Sequence, residues 1–584
     1  MPRFMLTLRA FLALALPYFR SSEDRWRGRA LLAGVIAAEF ALVYVAVLTN
    51  QWNGRFFNAL EARNWDKVQI ELLVFLLIVL ANTAAGAGMW WVGQHFQMRW
   101  RRWMTERFAG NWMVNGRHYR IRFIGPEIDN IHLRIANDIY IFIQKTYEVG
   151  SALVGVLVTL ISFAIILAGL SAITPLPLFG HDFSFPGYLI VVAICYACIA
   201  TTIAHFVGRR LIHLNFQQQR READIRFATA RVTDHSEQVA LLKAEAVERT
   251  EIGRRFGALI TNWRMLAAVQ TRLTGFTYGY AQVSMIFPTL VVTPAYLVGA
   301  IPLGVLVQAA AAFQKVETSC AYFINYYSRI AEWKAALDRL WQLEMALARV
   351  DTTAPAHGAI EVIHEPRQDL ALEGLVLRSE GGDRITGVPD LALRAGDRLL
   401  INGASGSGKT TLFRALAGIW PFGEGLIRMP TGTRVLTLSA RPYFPLGSLR
   451  QALAAPALAA EVSDAEMRGA MRAAGLMHLI DRLDEEADWT TALSAGEQRR
   501  IGLTRALLLR PDVLLIDDAD VTSDIGRAKE FYDLLAELLS EAIIVSASSS
   551  SMLAGFHHNA ITIGQGERPP QQAAQRVLAI ATPA

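Results

Sequence analysis

The sequence predicts two parts of different fold class, an α-helical transmembrane domain with six spans followed by an α/β P-loop domain. Long apolar stretches recur through roughly the first 330 residues, and short strand-like runs alternate with helix-like runs after about residue 366. Hydrophobic residues make up 53% of the chain, more than a wholly soluble enzyme carries. In the second part, a glycine-rich run from Gly403 to Thr410 separates a predicted strand from a predicted helix.

The N-terminal segment, Met1 to Arg20, is predicted to be an interfacial elbow helix. It contains an apolar stretch but no small-residue cleavage site, and the charged segment 22–29 follows it. A secretory signal peptide would end at such a site. A helix that lies along the membrane surface is therefore the better interpretation.

Apolar stretches of suitable length predict the six spans. Four are well separated, and each is close to the about 20 residues that cross a bilayer. Residues 273–314 contain no charged residue over 42 positions, about twice one crossing, and Pro294 and Pro302 lie where a hairpin must turn. The predicted spans are 30–49, 72–94, 149–170, 187–207, 273–294 and 303–330.

The distribution of lysine and arginine predicts the orientation of the spans. The leader carries six of these residues, residues 95–148 carry nine and residues 208–272 carry twelve, whereas the opposite loops hold only Arg55, Arg63 and Lys67. Because positive charge accumulates on the cytoplasmic side, both termini are expected in the cytoplasm. The two long cytoplasmic connections have a helical pattern, as a transporter needs in order to contact a cytosolic motor.

Glu39 lies midway along the first predicted span. A carboxylate facing lipid is costly, so Glu39 is expected either to line a water-filled cavity or to have a structural partner. Cys195 and Cys198 form a CxxC pattern inside an apolar run, where packing is the expected role rather than redox chemistry or metal binding.

The glycine-rich run reads Gly-Ala-Ser-Gly-Ser-Gly-Lys-Thr and matches a phosphate-binding loop. Its glycines let the backbone close around a triphosphate, so that amide N–H groups face the anionic oxygens. Lys409 is expected to reach the β and γ phosphates, and the Thr410 hydroxyl to ligate magnesium. The loop residues assigned to ATP are Gly403, Ala404, Ser405, Gly406, Ser407, Gly408, Lys409, Thr410 and Thr411.

Two further motifs follow the loop. The apolar run 513–516 ends at the carboxylate of Asp517, a Walker B arrangement that holds magnesium. About ninety residues after the loop, the run 493–498 reads Leu-Ser-Ala-Gly-Glu-Gln, the signature of ABC-type ATPases. Its residues Ser494, Gly496 and Gln498 are assigned to the γ-phosphate of a nucleotide held by a different copy of the domain.

The chain resembles ABC half-transporters, in which a membrane domain is fused in front of the ATPase domain. It is similar in particular to the bacterial BacA/SbmA-like peptide and cobalamin transporters and to the peroxisomal fatty-acyl transporters of ABC subfamily D. The resemblance covers nearly the whole chain and implies an exporter-type ABC membrane fold, although several members import. Besides the ATPase motifs, it rests on the segments 50–53, 56–60, 129–130, 134–136, 236–240 with Glu245, 417–421 and 441–447.

A single ATPase domain of this type makes no complete site, so the resemblance implies a homodimer. Two protomers would hold two ATP molecules head to tail, with Asp524 near the crossing point. The domain organisation expected from the sequence is a transmembrane domain over 1–350, a linker over 351–365 and an ABC ATP-binding domain over 366–584.

Three catalytic positions depart from the family pattern. Asp518 replaces the family's glutamate that positions the attacking water. Ala440 replaces the glutamine of the Q-loop, and Ser548 replaces the switch histidine. Residues His557 and His558 lie too far along the chain to replace that histidine without rearrangement. ATP binding and hydrolysis are therefore expected to separate, with hydrolysis slowed by roughly 10²–10⁴.

The sequence predicts an ATP- and Mg²⁺-dependent ABC transporter that moves a solute across the bacterial inner membrane by alternating access. An ATP-gated facilitator or regulatory membrane protein is the alternative, favoured by the altered catalytic positions. The expected partners are a second copy of the chain, membrane lipid and the solute, and the six spans argue against nucleic acid. Neither the solute nor the direction of transport follows from the sequence.

Overall fold

The computed structural model describes residues 2–123, 130–173, 176–178, 181–183, 187–350, 358–439, 442–457, 459–517, 525–549 and 551–564. The chain forms two compact units. The first comprises Met1–Trp112 and Glu127–Met345, and the second comprises Met113–Pro126 and Ala346–Ala584. The short segment Met113–Pro126 thus belongs with the α/β part, although the sequence assigned it to the transmembrane domain.

Long helices make up most of the chain before residue 351. In chain order the elements are α1 (Pro2–Arg20), α2 (Arg25–Glu61), α3 (Trp65–Met113), α4 (Arg117–Arg120), α5 (Ile131–Leu133), α6 (Ile139–Ile173), strands β1 (Leu176–Leu178) and β2 (His181–Phe183), α7 (Tyr188–Gly208), α8 (Arg210–Asp234), α9 (Ser236–Leu241), α10 (Glu245–Leu297), α11 (Leu303–Cys320) and α12 (Tyr322–Val350).

Within the described residues, four helical segments are long and apolar enough to cross a membrane, namely Arg25–Glu61, Trp65–Phe123, Ile131–Ile173 and Tyr188–Asp234. They contain the first four predicted spans. The uncharged run 273–314 is helical on both sides of a break over residues 298–302, between α10 and α11. Neither α10 nor α11 is among these four segments, so the fifth and sixth spans remain predictions.

Two glycines bring α2 and α11 into close contact. A Cβ at Gly304 would collide with the carbonyl oxygen of Gly54 and with the side chain of Asn58. At this crossing the Asn58 carbonyl Oδ1 accepts a hydrogen bond from Gly304 N at 2.8 Å, and a Glu61 carboxylate oxygen accepts one from Leu303 N at 2.9 Å. The first-turn amides of α11, which have no partner within their own helix, are thus satisfied by α2.

The second unit is an α/β fold with two five-stranded sheets. The strands of the central, parallel sheet are β7 (Arg398–Asn402), β9 (Val435–Leu438), β12 (Val513–Ile516), β13 (Ile543–Ser548) and β14 (Asn559–Thr562), in the spatial order β14-β7-β13-β12-β9. The other sheet contains β3 (Glu361–Glu365), β4 (Asp369–Arg378), β5 (Arg384–Gly387), β6 (Leu391–Arg394) and β8 (Gly423–Pro430).

Helices cover the central sheet, and a smaller helical region follows β9. These elements are α13 (Lys409–Leu416), strand β10 (Gly447–Ser448), α14 (Leu449–Ala454), α15 (Asp464–Ala473), strand β11 (Glu486–Ala487), α16 (Trp489–Ala492), α17 (Ala495–Leu509) and α18 (Ile525–Leu538). Leucine, isoleucine and valine dominate the central strands, and all four residues of β12 are buried. A parallel strand covered on both faces requires such a continuous apolar run.

The predicted linker 351–365 is too long. Its last five residues form β3, which pairs in parallel with β8 over five positions. The pattern Glu-Val-Ile-His-Glu alternates only weakly, because its strand faces are half-buried at a sheet edge. Residues 351–357 of the linker lie outside the described part of the chain.

Candidate functional site

The carboxyl ends of three parallel strands bring the predicted nucleotide motifs together. In the register of the central sheet, Asn402 at the end of β7 pairs with Ser548, and Ser546 pairs with Ile516 at the end of β12. Ligands of parallel α/β sheets bind at this edge. The phosphate loop after β7, Asp517 after β12 and Ser548 at the end of β13 therefore share one edge of the sheet.

The phosphate loop has the backbone that its glycines permit. Gly406 and Gly408 have φ values of 79° and 102°, and Gly408 forms the N-cap of α13. A Cβ at Gly408 would lie 2.9 Å from Ile385 Cγ2. A side chain at Gly403 would meet the Ile563 carbonyl at 2.8 Å. The loop thus needs glycine for its conformation and for the close approach of neighbouring segments.

Lys409 lies at the start of α13 and is 9% exposed. Its ammonium group donates hydrogen bonds to the carbonyl oxygens of Gly403 and Ala404, the latter at 3.1 Å. Both acceptors belong to the loop that would surround a phosphate. Because an ammonium on a flexible stem rotates easily, Lys409 can exchange these carbonyls for phosphate oxygens.

Thr410 and Asp517 provide a pair of oxygen ligands suited to magnesium. The Thr410 hydroxyl donates to Asp517 Oδ1 at 3.3 Å, and the backbone N–H of Asp517 is held by Leu438 O at 2.9 Å. Mg²⁺ prefers oxygen ligands and usually takes only one or two from the protein beside waters and phosphates. The buried Ser407 Oγ and Asn402 Oδ1 have no hydrogen-bond partner within the described residues. The residues present therefore fit a phosphate with its metal.

The signature segment forms the start of α17. Ser494 is the N-cap, and its backbone N–H and hydroxyl both contact Glu497 Oε2, at 2.8 and 2.6 Å. Glu497 also contacts His478 Nε2 at 2.7 Å, and these hydrogen bonds, that from Ser494 first, lower the pKa of Glu497 to about 2. A Cβ at Gly496 would meet nothing within 4 Å. The chain's own fold therefore does not require glycine there.

The Gln498 side chain is hydrogen-bonded to the segment that precedes α17. Its amide Nε2 donates to the carbonyl oxygens of Thr490 and Leu493, at 2.8 and 3.2 Å. These bonds use both side-chain N–H groups within the chain itself. These bonds hold the loop that carries Ser494, and the assignment of Gln498 to a nucleotide stays a prediction.

Of the three altered catalytic positions, Ser548 alone lies in the described part of the chain. It ends β13 beside Asn402 and is 1% exposed. The assignment of this position to the family's switch histidine stays a prediction from the sequence. Ala440, Asp518 and the interface residue Asp524 lie outside the described residues.

His557 cannot substitute for that histidine, because the core already uses its ring. Nδ1 lies 2.8 Å from Leu553 O and Nε2 lies 2.8 Å from Ser546 Oγ, which also accepts from the Tyr532 hydroxyl at 2.8 Å. All these contacts form when Nδ1 carries the proton and donates to Leu553 O, while the unprotonated Nε2 accepts from the Ser546 hydroxyl. This arrangement is a neutral imidazole. Burial, as the largest cause, lowers the pKa of His557 and favours the same form.

The first unit contains a cavity of about 670 Å³. Glu39 lines it, as one of the two sequence interpretations expected. Of the other polar residues of its wall, the sequence indicates only Lys315, as a weaker candidate. A spacing of four along α6, at Tyr147, Ser151, Gly155 and Thr159, was the available signal for the rest, because these positions share one helix face.

Two family models match the two parts of the chain. Residues 14–297 match the ABC transporter transmembrane region 2, and residues 388–521 match the ABC transporter domain. An uncharacterized ABC transporter ATP-binding protein of Haemophilus influenzae is 28% identical, over 91% of this chain and 88% of that protein.

Other relatives extend the likeness. The inner membrane ABC transporter ATP-binding protein YddA of Escherichia coli is 27% identical over 92% of this chain and 94% of its own length. The chloroplastic ABC transporter D family member 2 of Arabidopsis thaliana is 28% identical over 95% of this chain and 86% of its own length.

A solved structure shares the fold. A bacterial Atm1-family ABC exporter with ATP bound superposes with a TM-score of 0.66 at 15% identity, covering 92% of this chain and 93% of the exporter chain. The predicted fold class, an exporter-type helical membrane domain followed by an α/β nucleotide-binding domain, is thereby confirmed. The two family models thus identify an ABC transporter membrane region fused in front of one ABC transporter domain, and the relatives fit a subfamily D-like half-transporter.

Proposed function

We propose that two copies of this half-transporter bind two ATP–Mg²⁺ between their ATPase domains and move a solute across the bacterial inner membrane by alternating access, with slowed hydrolysis. The proposal is supported by a contrast at one edge of the central sheet, where the groups for binding ATP are present but a group for hydrolysis is replaced. The groups for the β-phosphate and the metal, Lys409, Thr410 and Asp517, are in contact with one another or with the phosphate loop. Ser548, at the same edge, replaces a group that acts on the γ-phosphate.

The phosphate loop would hold ATP through its backbone amides, and Lys409 would turn from Ala404 O to the β and γ phosphates. Thr410 and Asp517 would hold Mg²⁺ with their side-chain oxygen atoms. When bound, the metal neutralises charge on the phosphate oxygens. No step in this binding needs Ser548.

Hydrolysis requires a group that orients the attacking water. Asp518 is one methylene shorter than glutamate, the alanine at 440 can ligate nothing, and a serine hydroxyl at 548 lacks the reach of an imidazole. Misplacing a catalytic group by about 1 Å can cost ~10²-fold, and losing one transition-state donor costs ~10²–10³-fold. Because such losses are not additive, the combined slowing is placed at roughly 10²–10⁴.

The homodimer is supported by the signature segment. Gly496 borders open space and Ser494 caps the start of α17, so backbone amides at this helix end can approach an anion on another molecule. Leu241 and Leu242, at the end of α9, are 76% and 78% exposed. Apolar side chains this exposed on a helix tip are suited to an interface. Lysine and arginine bias supports cytoplasmic termini, and the name of YddA supports the inner membrane.

Phosphate release from protein reconstituted in proteoliposomes tests the proposal. We expect slow release that is lost in Lys409→Ala and reduced in Asp518→Ala, together with tight binding of ATP by the wild-type protein. Turnover equal to that of a relative with the complete set of catalytic residues would contradict the slowed hydrolysis. Absence of ATP binding would contradict the proposal as a whole.

The altered positions also favour a second candidate, an ATP-gated facilitator in which nucleotide binding alone changes the conformation. Such a gate needs Lys409, Thr410 and Asp517 but not Asp518. In the same assay a gate would release no phosphate above background, and Asp518→Ala would leave its solute flux unchanged.

A further inference from the structure

The wall of the cavity in the first unit is formed by residues of five helices. Its wall includes Glu39 on α2, Met89 on α3, Tyr147 on α6, Lys315 on α11 and Arg329 on α12. Hydroxyl groups of serine and threonine lie between these charges. A volume of about 670 Å³ is within the ~300–1,000 Å³ range of pockets that hold small organic ligands.

Glu39 is 9% exposed, and no hydrogen bond or ion pair joins its carboxylate to another described residue. Burying an ionised carboxylate without a partner is expensive. Most buried carboxylates in this unit are paired: Glu317, for example, accepts hydrogen bonds from Tyr280 and from Ser284. Glu39 is different because the space beside it is the cavity.

Two glycines make room for the polar wall. A Cβ at Gly155 of α6 would lie 2.6 Å from Glu39 Oε2, so the carboxylate rests where any other residue would place its side chain. A Cβ at Gly93 of α3 would collide with the Tyr147 hydroxyl. Both glycines are inside helices, where glycine is destabilising by about 0.5–1 kcal/mol relative to alanine. Their cost is offset only if Glu39 and Tyr147 are needed at the cavity.

The cations of the wall are not used to neutralise Glu39. Arg329 lies 3.8 Å from Glu148 and over the ring of Tyr326 at 4.8 Å. Lys315 is exposed, and its ammonium makes no hydrogen bond or ion pair with any residue that the structure describes. Glu39 and Lys315 thus present an unpaired negative and an unpaired positive charge to one cavity.

We propose that this cavity binds a polar solute bearing a cationic nitrogen, an amine or a guanidinium, with Glu39 as its counter-ion. Tyr147 and the wall hydroxyls would bind the uncharged polar part, and Lys315 would accommodate a carboxylate where the solute is zwitterionic. A purely hydrocarbon chain would leave the buried Glu39 carboxylate without a counter-ion, so the cavity selects against it. The inference rests on the proposed function, because it names the solute class of that same transporter.

The test uses the full chain in lipid nanodiscs, with empty nanodiscs subtracted, and three fluorescent probes of matched length. They are dansylcadaverine (a cation), its N-acetyl derivative (neutral) and dansyl-6-aminohexanoate (an anion). We expect the cation to bind at least about 30-fold more tightly than the neutral probe, the low end of the loss when one partner of a buried charge pair is removed. Glu39→Gln should abolish this preference.

Glu317→Gln is the matched control, since it removes a buried carboxylate that does not line the cavity, and it should keep the preference. Gly155→Ala, which displaces the Glu39 carboxylate without changing charge, should weaken binding of the cation. Equal binding of cation and neutral probe, absence of saturable binding of the cation, tighter binding of the anion, or an unchanged preference in Glu39→Gln would each overturn the inference.

Labelled ATP is measured on the same nanodiscs. Protein that binds ATP but fails these probe tests contradicts the solute class alone. Protein that fails to bind ATP contradicts the proposed function instead.

Discussion

At the scale of single residues, Lys409 is the residue proposed to contact the phosphates of ATP. Its ammonium donates to Ala404 O at 3.1 Å and would exchange this carbonyl for phosphate oxygens. Hydrogen bonds to charged groups contribute about 1.5–3 kcal/mol. We therefore expect Lys409→Ala to weaken ATP binding by roughly 10- to 150-fold, measured with labelled ATP at equilibrium. Lys529→Ala, at an exposed position on α18, is the control and should bind ATP normally; equal losses in both would contradict the assignment.

His557 gives a prediction about pH. Burial lowers its pKa below the ordinary value of 6.5, so the folded ATPase domain holds the neutral ring that Ser546 requires. The stability from this group is present above pH 6.5 and is lost as the pH falls towards the lower, folded-state pKa. We expect the midpoint temperature of thermal unfolding to decrease as the pH is lowered from 7.5 to 5.5. His557→Gln should make this decrease smaller.

The control for this pH effect is His364→Gln, at an exposed position on β3, which should leave the pH dependence as in the wild type. Tryptophan fluorescence of the full chain in detergent follows the transition. A wild-type midpoint that does not change over this pH range would contradict a buried, neutral His557.

Residue identity predicted the phosphate loop, Asp517 and Ser494 because each carries its chemistry within a short motif. It could not show that the Gln498 amide donates to the carbonyls of Thr490 and Leu493, because folding brings these groups together. It also singled out Glu39 without its surroundings. Which charges share a cavity depends on helix packing, which a list of spans does not contain.

At the scale of elements, the segment after the first span explains part of the family resemblance in physical terms. Asn50 Nδ2 donates to Gln308 O at 3.0 Å, and Asn58 accepts from the first turn of α11. The asparagines of this motif therefore join α2 to α11, and Gly304 lets the two helices touch. The resemblance pointed to these residues, but their partners are about 250 positions away in sequence.

Gly304→Ala should destabilise the membrane domain, because the added Cβ would collide with Gly54 O and Asn58. Overpacking of this kind costs about 1–3 kcal/mol, and about 2–4 °C per kcal/mol is expected for domains of this size. Thermal unfolding in detergent would measure the shift. Gly88→Ala, in α3 with nothing within 4 Å of its Cβ, is the matched control. A larger loss in the control than in Gly304→Ala would contradict the packing.

The sequence predicts element boundaries best where the composition changes sharply. The uncharged run predicted a helical break near Pro302, and the break occurs over residues 298–302. The segment Met113–Pro126 was assigned to the membrane part because it lies between spans. Instead, Phe123 packs on Phe422 and Trp420 at ring distances of 5.1 and 5.7 Å. Such a long-range aromatic contact leaves no local pattern in the sequence.

At the scale of the whole molecule, the proposed transporter binds ATP tightly but hydrolyses it slowly. Restoring the replaced catalytic groups should therefore speed hydrolysis without changing ATP binding. We expect the combined replacements Ala440→Gln, Asp518→Glu and Ser548→His to raise phosphate release by about 10²–10⁴ while leaving ATP affinity within a few-fold, since they return the water-positioning and switch groups. Phosphate release from proteoliposomes measures the rise.

Adding Lys409→Ala to this triple variant is the control, and it should return release to background. An unchanged rate in the triple variant, with ATP still bound, would mean that these three positions do not limit turnover. The account of slowed hydrolysis would then be wrong, although the ATP site would stand.

We propose that each nucleotide is bound by the phosphate loop of one protomer and the signature segment of its partner. Native mass spectrometry with ATP and Mg²⁺ tests this arrangement by comparing the Asp518→Ala chain with the chain that carries both Asp518→Ala and Ser494→Arg. We expect the Asp518→Ala chain to form a dimer with two ATP molecules, and the addition of Ser494→Arg to remove the bound ATP. A monomer that retains ATP, or a Ser494→Arg protein that binds two ATP as before, would contradict it.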